Sequence, residues 1–187
     1  MPNPIPDFDH NLVIPPHRGD PVDHTQLSPF PCTTLDLCQR LGTSPERKAI
    51  LAKFLEFRER LNAAGLINGF QWLDGSFLED VETREKRPPN DLDVVTVYWG
   101  YDRAFQVQLA SRFPEFASPR LAKASYRLDH YNFDAGFDPT MTLEQTRYWV
   151  LLFSHNRQSV WKGMLRIALN TPTDDSNAHQ ALGQITQ

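Results

Sequence analysis

The chain has 187 residues, 40% of them hydrophobic and 22% charged, which suits one domain with a real core. A net charge of −4 excludes a general basic surface for holding nucleic acid and leaves room only for a local patch. No apolar run reaches the ~20 residues that span a bilayer, and the start MPNPIPDFDHN lacks the basic and apolar regions of a signal peptide, so a soluble, cytoplasmic protein is expected. The cysteines, Cys32 and Cys38, suit neither a zinc site nor a redox pair by their spacing.

Residues 1–33, rich in Pro, His and Asp, read as an extended arm packed through Phe8, Leu12, Val13, Ile14 and Phe30. Thr34 is expected to cap a short helix, LDLCQRL, closed by Gly42. Ser44-Pro45-Glu46 opens a strong helix, with Ile50, Leu51, Phe54, Leu55, Phe57 and Leu61 as its core stripe and Gly65 at its end. Arg47, Lys48, Arg58 and Arg60 are assigned to its solvated face. GFQWLD (69–74) reads as a strand running into the turn Gly75-Ser76. A short helix beginning at Ser76 would leave free N–H groups for an anion such as a phosphate.

Residues 79–90 read as a charged, Pro-rich loop, with Glu79 and Asp80 solvated and 82–90 a candidate lid. Residues 91–98 form a strand, and Asp102 caps a helix to about Arg112, ended by Pro114. A short helix follows from Ser118 to about Ser125. Tyr126 to Phe133 then alternates as a strand, with Arg127, Asp129, Tyr131 and Phe133 on one face and Leu128, His130, Asn132 and Asp134 on the other. Thr142-Leu-Glu-Gln145 is a capping box for the apolar helix TRYWVLLF. Residues 160–169 fit a strand or a helix equally. The tail 171–187 reads as loose and polar. The expected architecture is α+β: a domain over 34–170 with a small mixed sheet of three to five strands flanked by helices.

The chemistry centres on Gly75-Ser76 and on Asp91-Leu92-Asp93. Asp91 and Asp93 are two apart, so on a strand they share a face, and Val94, Val95 and Val97 mark that strand as buried. Two carboxylates at the edge of a buried strand repel each other and cost desolvation, and a divalent cation between them offsets both terms. The plainer alternatives are a turn cap for Asp91 and an exposed position for Asp93. Asp129 is a candidate third acid, with a surface pair to Arg127 as its alternative and Asp134 as its substitute. Arg157 and Lys162 flank a His-Asn-Arg-Gln turn and would either reach phosphates or lie on the surface, and His155 is a candidate general base.

A strand ending in Gly-Ser, then a strand with Asp-x-Asp, then a later acid resembles the polymerase-β-like nucleotidyltransferase superfamily, through Asp74-Gly75-Ser76 and Asp91-Leu92-Asp93-Val94. Asp74 stands where that pattern usually has a hydrophobic residue. From about residue 40 to 170, through SHNRQSVWKG, the chain also resembles a small, largely uncharacterised bacterial family assigned to that superfamily. The resemblance implies a nucleotidyltransferase-like fold and transfer of a nucleoside monophosphate from a nucleoside triphosphate to an unknown hydroxyl acceptor. Asp91, Asp93 and Asp129 would bind two Mg²⁺ ions, while Gly75, Ser76, Arg157 and Lys162 would contact the nucleotide. It also implies the context of a bacterial toxin–antitoxin or phage-defence module. A catalytically inactive binding or regulatory module on the same fold is the competing class, and a plain metal-dependent phosphoesterase is a third. A homodimer or a partner protein would suit the arm and the aromatic content.

Overall fold

Five strands form one mixed sheet in the order β1–β5–β2–β3–β4. They are β1 (Phe30–Pro31), β2 (Gly69–Asp74), β3 (Leu92–Tyr98), β4 (Leu128–Asp134) and β5 (Leu165–Ala168). The central strand β2 runs antiparallel to both β3 and β5, whereas β4 is parallel to β3 and β1 parallel to β5. This computed structural model describes residues 4–184. Residues 1–3 and 185–187, the ends of the expected arm and tail, lie outside the described residues.

The helices are α1 (Thr34–Leu41), α2 (Pro45–Ala63), α3 (Val81–Glu85), α4 (Arg103–Arg112), α5 (Pro114–Ala117), α6 (Pro119–Tyr126), α7 (Pro139–Phe153) and α8 (Pro172–Gln184). One face of the sheet, through Leu73, Val94, Leu128, Leu165 and Ile167, packs on the apolar sides of α1, α2, α6 and α8. The other face carries a smaller core of Trp72, Val95, Val97 and Met164, covered by Trp149 and Phe153 of α7.

Local chemistry explains most boundaries. Ser44 caps α2 by accepting from the Arg47 N–H, Pro45 holds the first helical position, and Gly65 follows the end at φ 84°. Asp102 and Ser118 cap α4 and α6 in the same way.

Five expectations are corrected. Thr33, not Thr34, caps α1 in a reciprocal box with Asp36, because the Thr34 hydroxyl is taken by Asp175 at 2.8 Å. Asp138-Pro139 starts α7 three residues before Thr142, whose hydroxyl donates instead to the carbonyls of Ala135 and Asp138. The 79–90 segment contains α3, capped by Asp80 through the Thr83 N–H. The tail from Thr171 is the ordered helix α8, which buries Ala178 and Leu182 against the main core. Arg47 and Arg58 are buried, not solvated, at 2% exposure each.

The arm does pack, through Ile5, Val13, Ile14 and Phe30. It also pins the chain near the site. The Ile14 N–H donates to the Leu78 carbonyl, the Asp80 N–H donates to the Leu12 carbonyl, and the Gly163 N–H donates to the Ile14 carbonyl. Among the described residues no helix is long and apolar enough to cross a membrane.

Candidate functional site

β2 and β3 both deliver a carboxylate to the same row of the sheet, and β4 adds a third. Asp74 pairs in register with Asp93, and Asp93 with Asp129, so all three project to the face covered by α7. Asp91 lies two residues before Asp93, on that same side. The chain leaves β2 through Gly75, at φ 85°, where a Cβ would overlap the Asp93 carboxylate. Glycine therefore lets the turn lie directly against Asp93. Ser76 then opens a single 3-10 turn, Ser76–Leu78, shorter than the helix expected there.

These groups border a cavity of about 540 Å³. Its floor holds Asp74, Gly75, Ser76, Asp91, Asp93 and Asp129. Arg84, Glu85, Arg87 and Asn90 form one wall, so the expected lid segment lines the cavity. His155 and Arg157 lie on the loop between α7 and β5, and Phe153 lies at the end of α7. A second cavity of about 110 Å³ adjoins Asp93 and Asp129 and is lined by Tyr131, Tyr148, Trp149, Leu152 and Phe153.

Most of the cavity's charges pair internally. Lys162, 2% exposed, donates to the Gly75 carbonyl at 2.9 Å and to Glu79 at 3.0 Å, and lies 3.0 Å from Asp74 Oδ1 in an obliquely directed ion pair. It braces the Gly-Ser turn through the Gly75 carbonyl and lines the cavity with most of its donors taken up by protein groups. Burial pulls its ammonium down, but Asp74 and Glu79 outweigh that and hold it above the ordinary lysine range. Glu79, expected in solvent, is buried between Lys162 and Arg84. Lys123 holds Asp91 at 2.6 Å. Among the described residues Asp93, Asp129 and Arg157 have no ion-pair partner. Burial, then the charges of Asp91 and Asp129, push the Asp93 carboxyl up to about 6. Burial drives Asp74 up to about 7 against the pull of Lys162.

The residues weighed beside Asp129 lie apart from it. Arg127 turns its guanidinium to the Asn90 carbonyl at 3.0 Å, away from Asp129. Asp134 ends the far side of β4, paired with Tyr98 and accepting from Gln106 and Gly136, roughly 17 Å along the strand from Asp129. The face shared by His130 and Asn132 is the one covered by α1, α2, α6 and α8, opposite α7. His130 is fully buried against Phe57 and Phe116.

Among the described residues no three His, Cys, Asp or Glu side chains close round one point. Mg²⁺ needs no such cage, because it is commonly held by one or two carboxylates with water and substrate phosphates. The in-register Asp93 and Asp129, both without a cation partner among the described residues, would supply that pair, and Lys123 stands nearby as a cation tethered to Asp91. The donor set therefore fits Mg²⁺, with Asp91 available once released from Lys123.

Sequence reasoning missed Lys123, Glu79 and the buried role of Asp74. A lone Lys on a short helix gives no signal, but Asp74, a carboxylate ending an apolar strand, implies a buried cation such as Lys162.

Fold and site define an α+β protein with an acidic cavity at the end of a mixed sheet, floored by a Gly-Ser turn and a row of aspartates. The chain belongs to a family of unknown function (DUF6932), matched over residues 6–168. No curated protein and no solved structure matches it.

Proposed function

We propose that the chain is a Mg²⁺-dependent nucleotidyltransferase that moves a nucleoside monophosphate from a nucleoside triphosphate to a hydroxyl acceptor, releasing pyrophosphate. The observation that carries this reading is the in-register pair Asp93–Asp129, with Asp91 on the same side and Asp93 packed on the glycine of a Gly-Ser turn. Asp91, Asp93 and Asp129 would hold the metal, which supplies charge stabilisation to the attacking and leaving oxygens of an in-line displacement. Ser76 and the Gly75 backbone lie where the β- and γ-phosphates would rest, with the turn held by Lys162. Arg157, whose fork has no carboxylate partner among the described residues, suits bidentate contact with a phosphate. Asp129 borders both cavities, so an acceptor entering on the aromatic side would give its hydroxyl proton there. The new bond is acceptor oxygen to α-phosphorus, and the bond broken is α-phosphorus to the bridging oxygen of the leaving pyrophosphate.

A binding module without turnover is the second reading. The Asp91–Lys123 pair favours it, because it holds one of the three carboxylates away from a metal. The test is calorimetry with each of the four nucleoside triphosphates, with and without Mg²⁺, on wild type and on Asp91→Asn/Asp93→Asn, alongside an assay for pyrophosphate. Mg²⁺-dependent binding that the double variant loses, with pyrophosphate released, is the expected result. Binding without pyrophosphate release across an acceptor panel supports the module. A folded protein that binds no triphosphate refutes the nucleotidyltransferase and leaves the module, with a protein partner to be sought.

A further inference from the structure

α7 is a helix with one side seated and the other bare. Its inward positions Thr142, Gln145, Thr146, Trp149 and Phe153 recur at helical spacing, yet only Trp149 and Phe153 are buried. The outer side exposes large apolar side chains, from 71% for Leu143 to 38% for Val150, with Met141, Tyr148, Leu151 and Leu152 between them. Together with Phe137 beside the helix, they offer on the order of 600–800 Å² of apolar surface, above what a monomer ordinarily carries and near the ~800 Å² per partner of a stable interface. Glu144 and Arg147 are the charges on this side, 2.7 Å apart.

We propose that this face is a homodimer interface, in which α7 packs antiparallel on α7 of a second copy about a two-fold axis. A two-fold demands a self-complementary patch, and this one is. With the axis between Gln145 and Thr146, Glu144 lies level with Arg147 of the second copy, while on the two flanks Leu143 packs beside its Val150 and Met141 beside its Tyr148. One register thus satisfies the charged and apolar positions together. A lipid surface is a poorer occupant, because helices that lie on membranes carry a polar face rich in Lys and Arg, and α7 has one Arg balanced by one Glu. The proposal does not depend on the nucleotidyltransferase reading. It does bear on the site, since Tyr148, Trp149 and Leu152 of α7 line the smaller cavity beside Asp129, and the second copy would cover its outer side.

Sedimentation velocity across the micromolar range tests this. Wild type is expected at twice the chain mass. Leu143→Glu/Leu151→Glu is expected at the chain mass, with an unchanged far-ultraviolet spectrum because both positions face out. Glu144→Arg alone, which sets like charges opposite each other, is expected to dissociate the dimer, and adding Arg147→Glu is expected to restore it. A monomeric wild type overturns the proposal, whether or not it binds anionic vesicles. A dimer that survives Leu143→Glu/Leu151→Glu overturns it as well.

Discussion

Asp93 is held as a charge that the fold disfavours. It is largely buried, presses on Gly75, and shares its row with Asp91 and Asp129, so its folded pKa stands at about 6. A carboxyl raised above its unfolded value is ionised in both states above pH ~6, and there the full cost of the charge falls on the fold. As pH falls through the folded value, the native state takes up the proton first and the cost disappears. Asp93→Asn is therefore expected to stabilise the protein, measured without added divalent cations, by about 1–3 kcal/mol near neutral pH. The gain should shrink on acidification and vanish near the ordinary carboxylate pKa. Urea unfolding of both proteins over that range measures it, and a variant less stable than wild type near neutral pH refutes the account. The shared face of Asp91 and Asp93 was legible from their spacing. The alignment of Asp129 with Asp93 was not, because the register between β3 and β4 is set by tertiary packing and not by either strand alone.

At the scale of elements, α2 shows what the sequence carried and how it was misread. Arg47 and Arg58 sit eleven residues apart, in phase with Leu51, Phe54 and Leu61, so they belong to the buried stripe by the same periodicity that identifies the helix. Each finds built partners. Arg47 donates to the Phe77 and Glu79 carbonyls and to Glu82, which fixes the segment just after the Gly-Ser turn. Arg58 donates to Asp175, Gln71, Thr171 and the Ala168 carbonyl. The charge of arginine argues for solvent only when no acceptors meet it inside. Asp175 lay in the stretch read as a loose tail, so that partner was hidden. Arg58→Met leaves Asp175 buried without its cation and should cost about 3–5 kcal/mol, and adding Asp175→Leu should recover most of the loss. Urea unfolding of the single and double variants measures both steps. A single variant as stable as wild type would mean that water already solvates Asp175.

For the whole molecule, the strands β2, β3 and β4, the capped helices α2, α4 and α6 and the α+β class followed from local pattern, whereas β5 fitted a strand or a helix equally and β1 lay in the stretch read as an arm. Strand order and the docking of α8 did not follow, because both depend on contacts far apart in sequence. α8 lies against α1 and α2 and carries Asp175 to Arg58. From there a buried polar chain crosses the sheet. Arg58 donates to Gln71 at 2.7 Å, Gln71 to Thr96 at 3.1 Å, and the Thr96 hydroxyl meets His130 Nε2 at 2.9 Å. This row ties β2, β3 and β4 together on the face opposite Asp74, Asp93 and Asp129, so α8 anchors the strands that carry the site without touching it. Removing residues 171–187 would strip Ala178 and Leu182 from the core and leave Arg58 with no carboxylate. A buried cation stranded in this way costs several kcal/mol, comparable with the ~5–15 kcal/mol that holds a whole domain. The truncated chain is expected to lose cooperative urea unfolding and its near-ultraviolet circular dichroism, while Arg58→Met in the same truncation recovers part of both. A truncated chain that unfolds as cooperatively as the full one would show that the polar row holds the three strands without α8.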